Sequence, residues 1–152
     1  RSDACGIIAA GIDAAGIVHV LADASVRAAK PARWARAAVE LWRTLGADCL
    51  VAEVNQGGEM VGAVINGVDP GVPVAGVRAR RGKWLRAEPV AMLYEQGRVR
   101  HVGAFPELED EMAEFAPDGL SAGHSPDRLD ALVYALHELA LKPLASPRLR
   151  SL

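Results

Sequence analysis

Asp48-Cys-Leu-Val-Ala-Glu-Val-Asn-Gln-Gly-Gly58 brings a short apolar run, a carboxylate, a carboxamide pair and two glycines together at one strand exit. Cys49 to Val54 has the length and the Val/Leu/Ala content of a strand buried on both faces, and helix-like segments flank it, as in a parallel-sheet unit. In open α/β sheets ligands gather in the crevice beyond the carboxyl ends of the strands, where Glu53 and Asn55 would emerge. A buried carboxylate needs a cation or strong donors to stay ionised. Glu53 is therefore metal-bound, salt-bridged, or simply past the sheet edge and meeting solvent or a nearby Arg.

Upstream, Pro31 in a first helical turn opens a helix over Ala32 to Leu45, with Trp34, Ala38, Leu41, Trp42 and Leu45 at helical spacing and Gly46 ending it. Before it, Cys5 to Ile12 and Ile17 to Ala22 read as an antiparallel hairpin around the turn Asp13-Ala-Ala-Gly16, followed by a loop from Ser25 to Lys30. Downstream, Met60 to Val68 reads as a helix stopped by Asp69-Pro-Gly71, and Val72 to Val77 as a strand. Strand, helix, strand in this order is a βαβ unit, which predicts a mixed sheet flanked by helices.

The basic stretch Arg78-Ala-Arg-Arg-Gly-Lys83 leads into a helix over Trp84 to Gln96, where Pro89 must sit in the first turn or kink the helix. Gly97 to Val102 is a brief strand, expected at an edge. Glu107 to Phe115 is an acidic helix with Leu108, Met112 and Phe115 on its apolar side and a solvated negative face. The last helix runs from Pro126 to Leu141. The domain is expected over residues 1–141, and the tail, residues 142–152, is expected to be poorly ordered.

A chain of 152 residues predicts one domain, and a composition 51% hydrophobic and 24% charged is that of a globular protein. No apolar run approaches the roughly 20 residues that span a bilayer, and the polar, charged opening residues give no secretory signal. Cys5 and Cys49 lie inside apolar runs and read as free thiols, which suits a reducing cytoplasm. A net charge of −2 argues against nucleic-acid affinity from overall charge, so any such contact needs a local basic patch.

A second acidic group opens the last helix in Ser125-Pro-Asp-Arg-Leu-Asp-Ala-Leu132, with Ser125 the expected N-cap. Asp127 and Asp130 share a face with Tyr134 and His137, while Leu129, Leu132, Val133, Leu136 and Leu139 cover the face that packs on the sheet. Acids in a first turn also complement the helix dipole, which explains them without any further role. Brought together, Glu53 and Asp127 would repel one another unless a proton or a divalent cation lay between them. Oxygen ligands without His or Cys suit Mg²⁺ or Mn²⁺, and such carboxylate clusters serve two-metal phosphodiester cleavage.

Four motifs in order carry a resemblance: Val51-Ala-Glu-Val-Asn-Gln-Gly-Gly58, Gly82-Lys-Trp-Leu-Arg-Ala-Glu-Pro89, Tyr94-Glu-Gln-Gly-Arg98 and Ser125-Pro-Asp-Arg-Leu-Asp-Ala-Leu132. Together with the hairpin and first helix, the chain up to about Leu141 resembles the C-terminal nuclease domain of phage terminase large subunits, in particular the prophage and gene-transfer-agent branch. The resemblance implies an RNase H-like fold and Mg²⁺- or Mn²⁺-dependent cutting of concatemeric double-stranded DNA. It also implies, as partners, a terminase ATPase domain, a portal and a small terminase subunit in the cytoplasm of a bacterial host. It makes Glu53 the second and Asp127 the third catalytic carboxylate, with Asp130 a nearby acid. The family's first catalytic Asp closes an opening strand. None of Asp3, Asp13 and Asp23 follows the apolar run that this motif demands, so the RNase H-like mixed sheet is expected here without its first catalytic strand. No G-x-x-x-x-G-K-[ST] phosphate loop occurs.

On this reading Arg81, Lys83 and Arg86 are candidates for phosphate contacts that position a duplex without reading its sequence, against the plainer alternative of a solvated basic loop. Two other functions compete. A junction resolvase or transposase-like nuclease would prefer branched DNA. A non-catalytic docking module of the packaging motor would take up no Mn²⁺.

Overall fold

A computed structural model describes residues 4–27, 30–54, 59–78 and 82–142. Asn55 to Gly58, Arg81 and the expected tail from residue 143 onward lie outside the described residues.

The N-terminal hairpin forms as its sequence predicts, with β2 (Ile8–Ile12) antiparallel to β3 (Val18–Asp23). Asp13 shapes the turn, because its Oδ1 accepts the N–H groups of Ala15 and Ile17, and Gly16 takes a φ of 84° that a side chain would resist. The hairpin extends further than expected. β1 (Ala4–Cys5) pairs with β4 (Val26–Arg27), so part of the expected loop after Ser25 is strand. β7 (Val99–His101) joins the other edge of β3 in parallel, Val18 opposite Val99, at the edge expected for it.

Helix α1 (Pro31–Leu45) begins on Pro31 and ends at Gly46 in the left-handed conformation, φ 61°. Its buried stripe is Ala35, Ala38 and Val39, with Trp34 and Trp42 partly buried beside it, while Leu45 is exposed. Of the expected face, Ala38 is buried and Trp34, Leu41 and Trp42 are half-buried, so only Leu45 departs from it, and the stripe packs on α2 (Glu59–Val68). The βαβ unit is present: β5 (Leu50–Glu53) runs parallel to β6 (Val74–Val77), Leu50 opposite Val74 and Glu53 opposite Val77, with α2 between them in sequence. β5 is half-buried rather than buried on both faces, since among the described residues it pairs with β6 alone.

Helix α3 (Lys83–Glu95) carries Pro89 in its interior, not its first turn, and without an N–H that residue leaves the Leu85 carbonyl lacking an intrahelical partner. Helix α4 (Pro106–Glu114) follows, and α5 (Asp127–Leu136) runs directly into a π-helical turn, His137–Leu141. Among the described residues no helix is long and apolar enough to cross a membrane.

Two cores result. The larger joins Val18, Val20, Val90, Leu93, Val99, Leu108, Leu129, Leu132, Val133 and Leu136; the smaller joins Ala35, Val39, Ile65 and Val72. Among the described residues β2–β3–β7 and β5–β6 share no ladder hydrogen bonds, and α5 touches both β2 and β5. The two cysteines are free and half-buried, and burial pushes both thiols above their ordinary value.

Candidate functional site

Helix α5 carries most of the polar chemistry, and its N-terminus is fixed from three sides. Glu111, from α4, accepts the N–H groups of Arg128 at 2.9 Å and Leu129 at 3.2 Å, satisfying two of the donors that a helix start leaves open. This replaces the expected Ser125 cap: Ser125 instead donates its hydroxyl to Asp127 Oδ1 at 2.9 Å. A Cβ on Gly6 would lie 2.1 Å from the Asp127 carbonyl oxygen, so only glycine lets the hairpin backbone come this close.

Arg128 is the third anchor. It is buried, and it meets Asp23 at 3.1 Å, Glu107 at 3.2 Å and Glu111 at 3.3 Å. The expected solvated face of the acidic helix is therefore largely engaged. Glu107 and Glu111 hold Arg128, and Glu109 pairs with His101, which also contacts the Tyr94 hydroxyl. The sequence held a signal for Arg128: positions 128, 129, 132, 133 and 136 form the apolar stripe of α5, and a cation in such a stripe calls for acids from elsewhere in the fold.

Along the polar flank of α5 the expected residues separate into two groups. Asp127 and Asp130 lie one turn apart. Burial raises the pKa of Asp130, Lys83 and Arg86 oppose the rise, and the negative charge of Asp127 adds to it. Lys83 Nζ pairs with Asp130 Oδ2 at 2.8 Å. One turn further on, Arg86 donates to the Tyr134 hydroxyl oxygen and its guanidinium carbon lies 4.9 Å from the centre of the Tyr134 ring. His137 Nε2 donates to the Arg86 carbonyl at 2.8 Å. Burial pushes the Tyr134 hydroxyl up to about 12, with the charge of Glu53 and a hydrogen bond to it contributing. Tyr134 therefore stays protonated and donates to Glu53, which stands exposed at the end of β5.

Glu53 thus meets α5 at Tyr134, seven residues past Asp127, roughly 10 Å along the axis at 1.5 Å per residue. No group of three or more His, Cys, Asp or Glu at metal-holding spacing occurs among the described residues. The donor chemistry nevertheless fits a divalent cation, because Asp127 and Asp130 oppose one another electrostatically and offer hard oxygens. Of the expected phosphate contacts, Lys83 is engaged by Asp130 and Arg86 by Tyr134, while Arg81 lies outside the described residues. The Arg86–Tyr134–Glu53 chain escaped sequence reading, which placed Tyr134 on the right face but gave no reason to join it to another strand and helix.

No curated protein matches this sequence. The fold is similar to that of the large terminase nuclease from thermophilic phage G20c, at a TM-score of 0.58 and 18% identity, covering 91% of this chain and 84% of that one. At that identity the likeness concerns the fold, and it agrees with the RNase H-like arrangement expected from the motifs. A family model described as the terminase RNaseH-like domain matches residues 1–139, nearly the full length of the sequence. By that match the chain belongs to the terminase RNaseH-like domain family.

Proposed function

We propose that this domain is a divalent-metal-dependent endodeoxyribonuclease that cuts concatemeric double-stranded DNA during genome packaging. The observation that carries the reading is the polar flank of α5, where Asp127 and Asp130 oppose each other in charge, Lys83 and Arg86 stand beside them, and Glu53 reaches the same flank through Tyr134. Asp127 and Glu53 are the residues that would hold Mg²⁺ or Mn²⁺, with Asp130 completing the set or orienting a water. When bound, such an ion supplies Lewis acidity at the phosphoryl oxygens and makes water a better nucleophile at neutral pH.

The chain's own residues do the rest. Ser125 and the capped start of α5 orient the Asp127 carboxylate, Tyr134 holds one oxygen of Glu53, and Lys83 and Arg86 offset the local negative charge against an incoming phosphate. In this reading the partners are double-stranded DNA, a terminase ATPase domain, the portal and the small terminase subunit, in the cytoplasm of a bacterial host. Plasmid cleavage in Mn²⁺ tests it. Glu53→Ala and Asp127→Ala should each abolish cutting, and undiminished cutting by both variants ends the proposal.

The engagement of Asp130 by Lys83 favours a second reading, a non-catalytic DNA-docking module of the motor. Calorimetry with Mn²⁺ separates the two: a docking module takes up no ion, whereas oxygen-ligand sites bind with micromolar to millimolar affinity, about 10⁻⁶ to 10⁻³ M.

A further inference from the structure

A cleft of about 580 Å³ opens between the end of β6, α3 and the last turns of α5 with its π-helical extension. Its polar lining is Arg78, Arg86, Tyr134, His137, Glu138 and Lys142. Three of these are permanent cations and one is an acid. Glu138 is matched by Lys142, whose Nζ lies 3.0 Å from Glu138 Oε1, an exposed pair that holds weakly. The cleft therefore keeps an excess of positive charge in a protein whose overall charge is −2.

Arg86 lines the cleft with its NH1 held by Tyr134, and a guanidinium is the side chain that pairs best with a phosphate. The size falls within the roughly 300–1,000 Å³ of clefts that take small ligands, room for a nucleotide and too little for a duplex. The position matters as well, since Tyr134 lines the cleft and also hydrogen-bonds Glu53.

We propose that this cleft binds one phosphate of a nucleic-acid strand, held by Arg78, Arg86 and Lys142, next to the end of β5 that carries Glu53. The proposal deepens the nuclease reading and rests on it for the identity of the ligand as a strand. It also moves the backbone contacts away from Lys83, which is engaged by Asp130, to Arg78 and Lys142, both exposed.

The test is made in EDTA, so that neither cleavage nor metal uptake enters. Binding of a fluorescent DNA oligonucleotide is measured by anisotropy across a range of salt, with inorganic phosphate and a deoxynucleoside monophosphate as competitors. The Arg78→Ala, Lys142→Ala double variant should weaken oligonucleotide binding about tenfold, and the slope of log K against log salt should flatten by about 1.5, since each lost contact removes roughly 0.7 to 0.9. A charge-matched Arg33→Ala, Arg36→Ala variant on the exposed side of α1 controls for net charge and should leave the slope unchanged. Circular dichroism confirms that both variants are folded.

Equal losses in the two variants, or none in the first, overturn the proposal. Competition by inorganic phosphate at the same concentration as the oligonucleotide also overturns it, because the site would then take a free anion. Failure of the nuclease reading looks different: Glu53→Ala and Asp127→Ala would cut normally in Mn²⁺ whatever the anisotropy shows.

Discussion

Arg128→Ala should be among the most damaging single substitutions in this domain. The guanidinium is 11% exposed, and two of its partners, Asp23 at 12% and Glu111 at 16%, are nearly as enclosed. Glu107 is 64% exposed and contributes little. Removing one member of a buried ion cluster leaves the others desolvated and unpaired, which costs about 3–5 kcal/mol. Against a total stability of about 5–15 kcal/mol that is a large fraction. For a domain of this length each kcal/mol moves the melting temperature by about 2–4 °C, so a fall of about 6–20 °C is expected. Thermal denaturation followed by circular dichroism at neutral pH measures it. Adding Asp23→Asn to Arg128→Ala should recover part of the loss, because one stranded charge is removed. A fall below about 3 °C would refute the reasoning, as would a double variant no more stable than the single one, which would show that stranded charge is not the cause.

Three other outcomes follow from the packing and the charges. His101, followed by the Phe105 N–H, holds the Glu109 carboxylate below its ordinary value of 4.5. A carboxylate whose pKa is lowered by folding adds stability above its unfolded value and loses it as pH falls through its folded value. Wild type should therefore lose melting temperature more steeply than Glu109→Gln below pH 4.5, and parallel acid limbs would contradict this. Gly6→Ala forces a Cβ to within 2.1 Å of the Asp127 carbonyl oxygen, so the hairpin or the helix start must move. Such overpacking costs about 1–3 kcal/mol, and the displacement should also weaken Mn²⁺ uptake in calorimetry. Leu132→Ala, at a fully buried position, should cost about 2–5 kcal/mol in urea denaturation without a change in slope.

Elements set by local chemistry were legible. Pro31 and Gly46 bound α1, the Asp13 to Gly16 turn closes the hairpin, and the βαβ unit forms around the quoted strand. The apolar face of α5 was equally clear, since its leucines recur at helical spacing. Properties decided by the packing of distant segments were not. Leu45, at the right spacing for the α1 stripe, is exposed while Ala35 and Val39 are buried, and Ser125 lost the capping role to Glu111, a residue from another helix. At the candidate site the face shared by Asp127, Asp130, Tyr134 and His137 was readable from spacing. Its partners, Lys83 for Asp130 and Arg86 with Glu53 for Tyr134, depend on how α3 and β5 dock, and no local pattern encodes that.

The division into two cores has a mechanical consequence. Glu53 rides on the smaller body, with α1, α2 and the β5–β6 ribbon, whereas Asp127 and Asp130 belong to the larger one. Among the described residues the link between these carboxylates runs through α5, which packs on both β2 and β5, and through the hydrogen bond from Tyr134 to Glu53, so Tyr134 ties the acid of one core to the helix that carries the acids of the other.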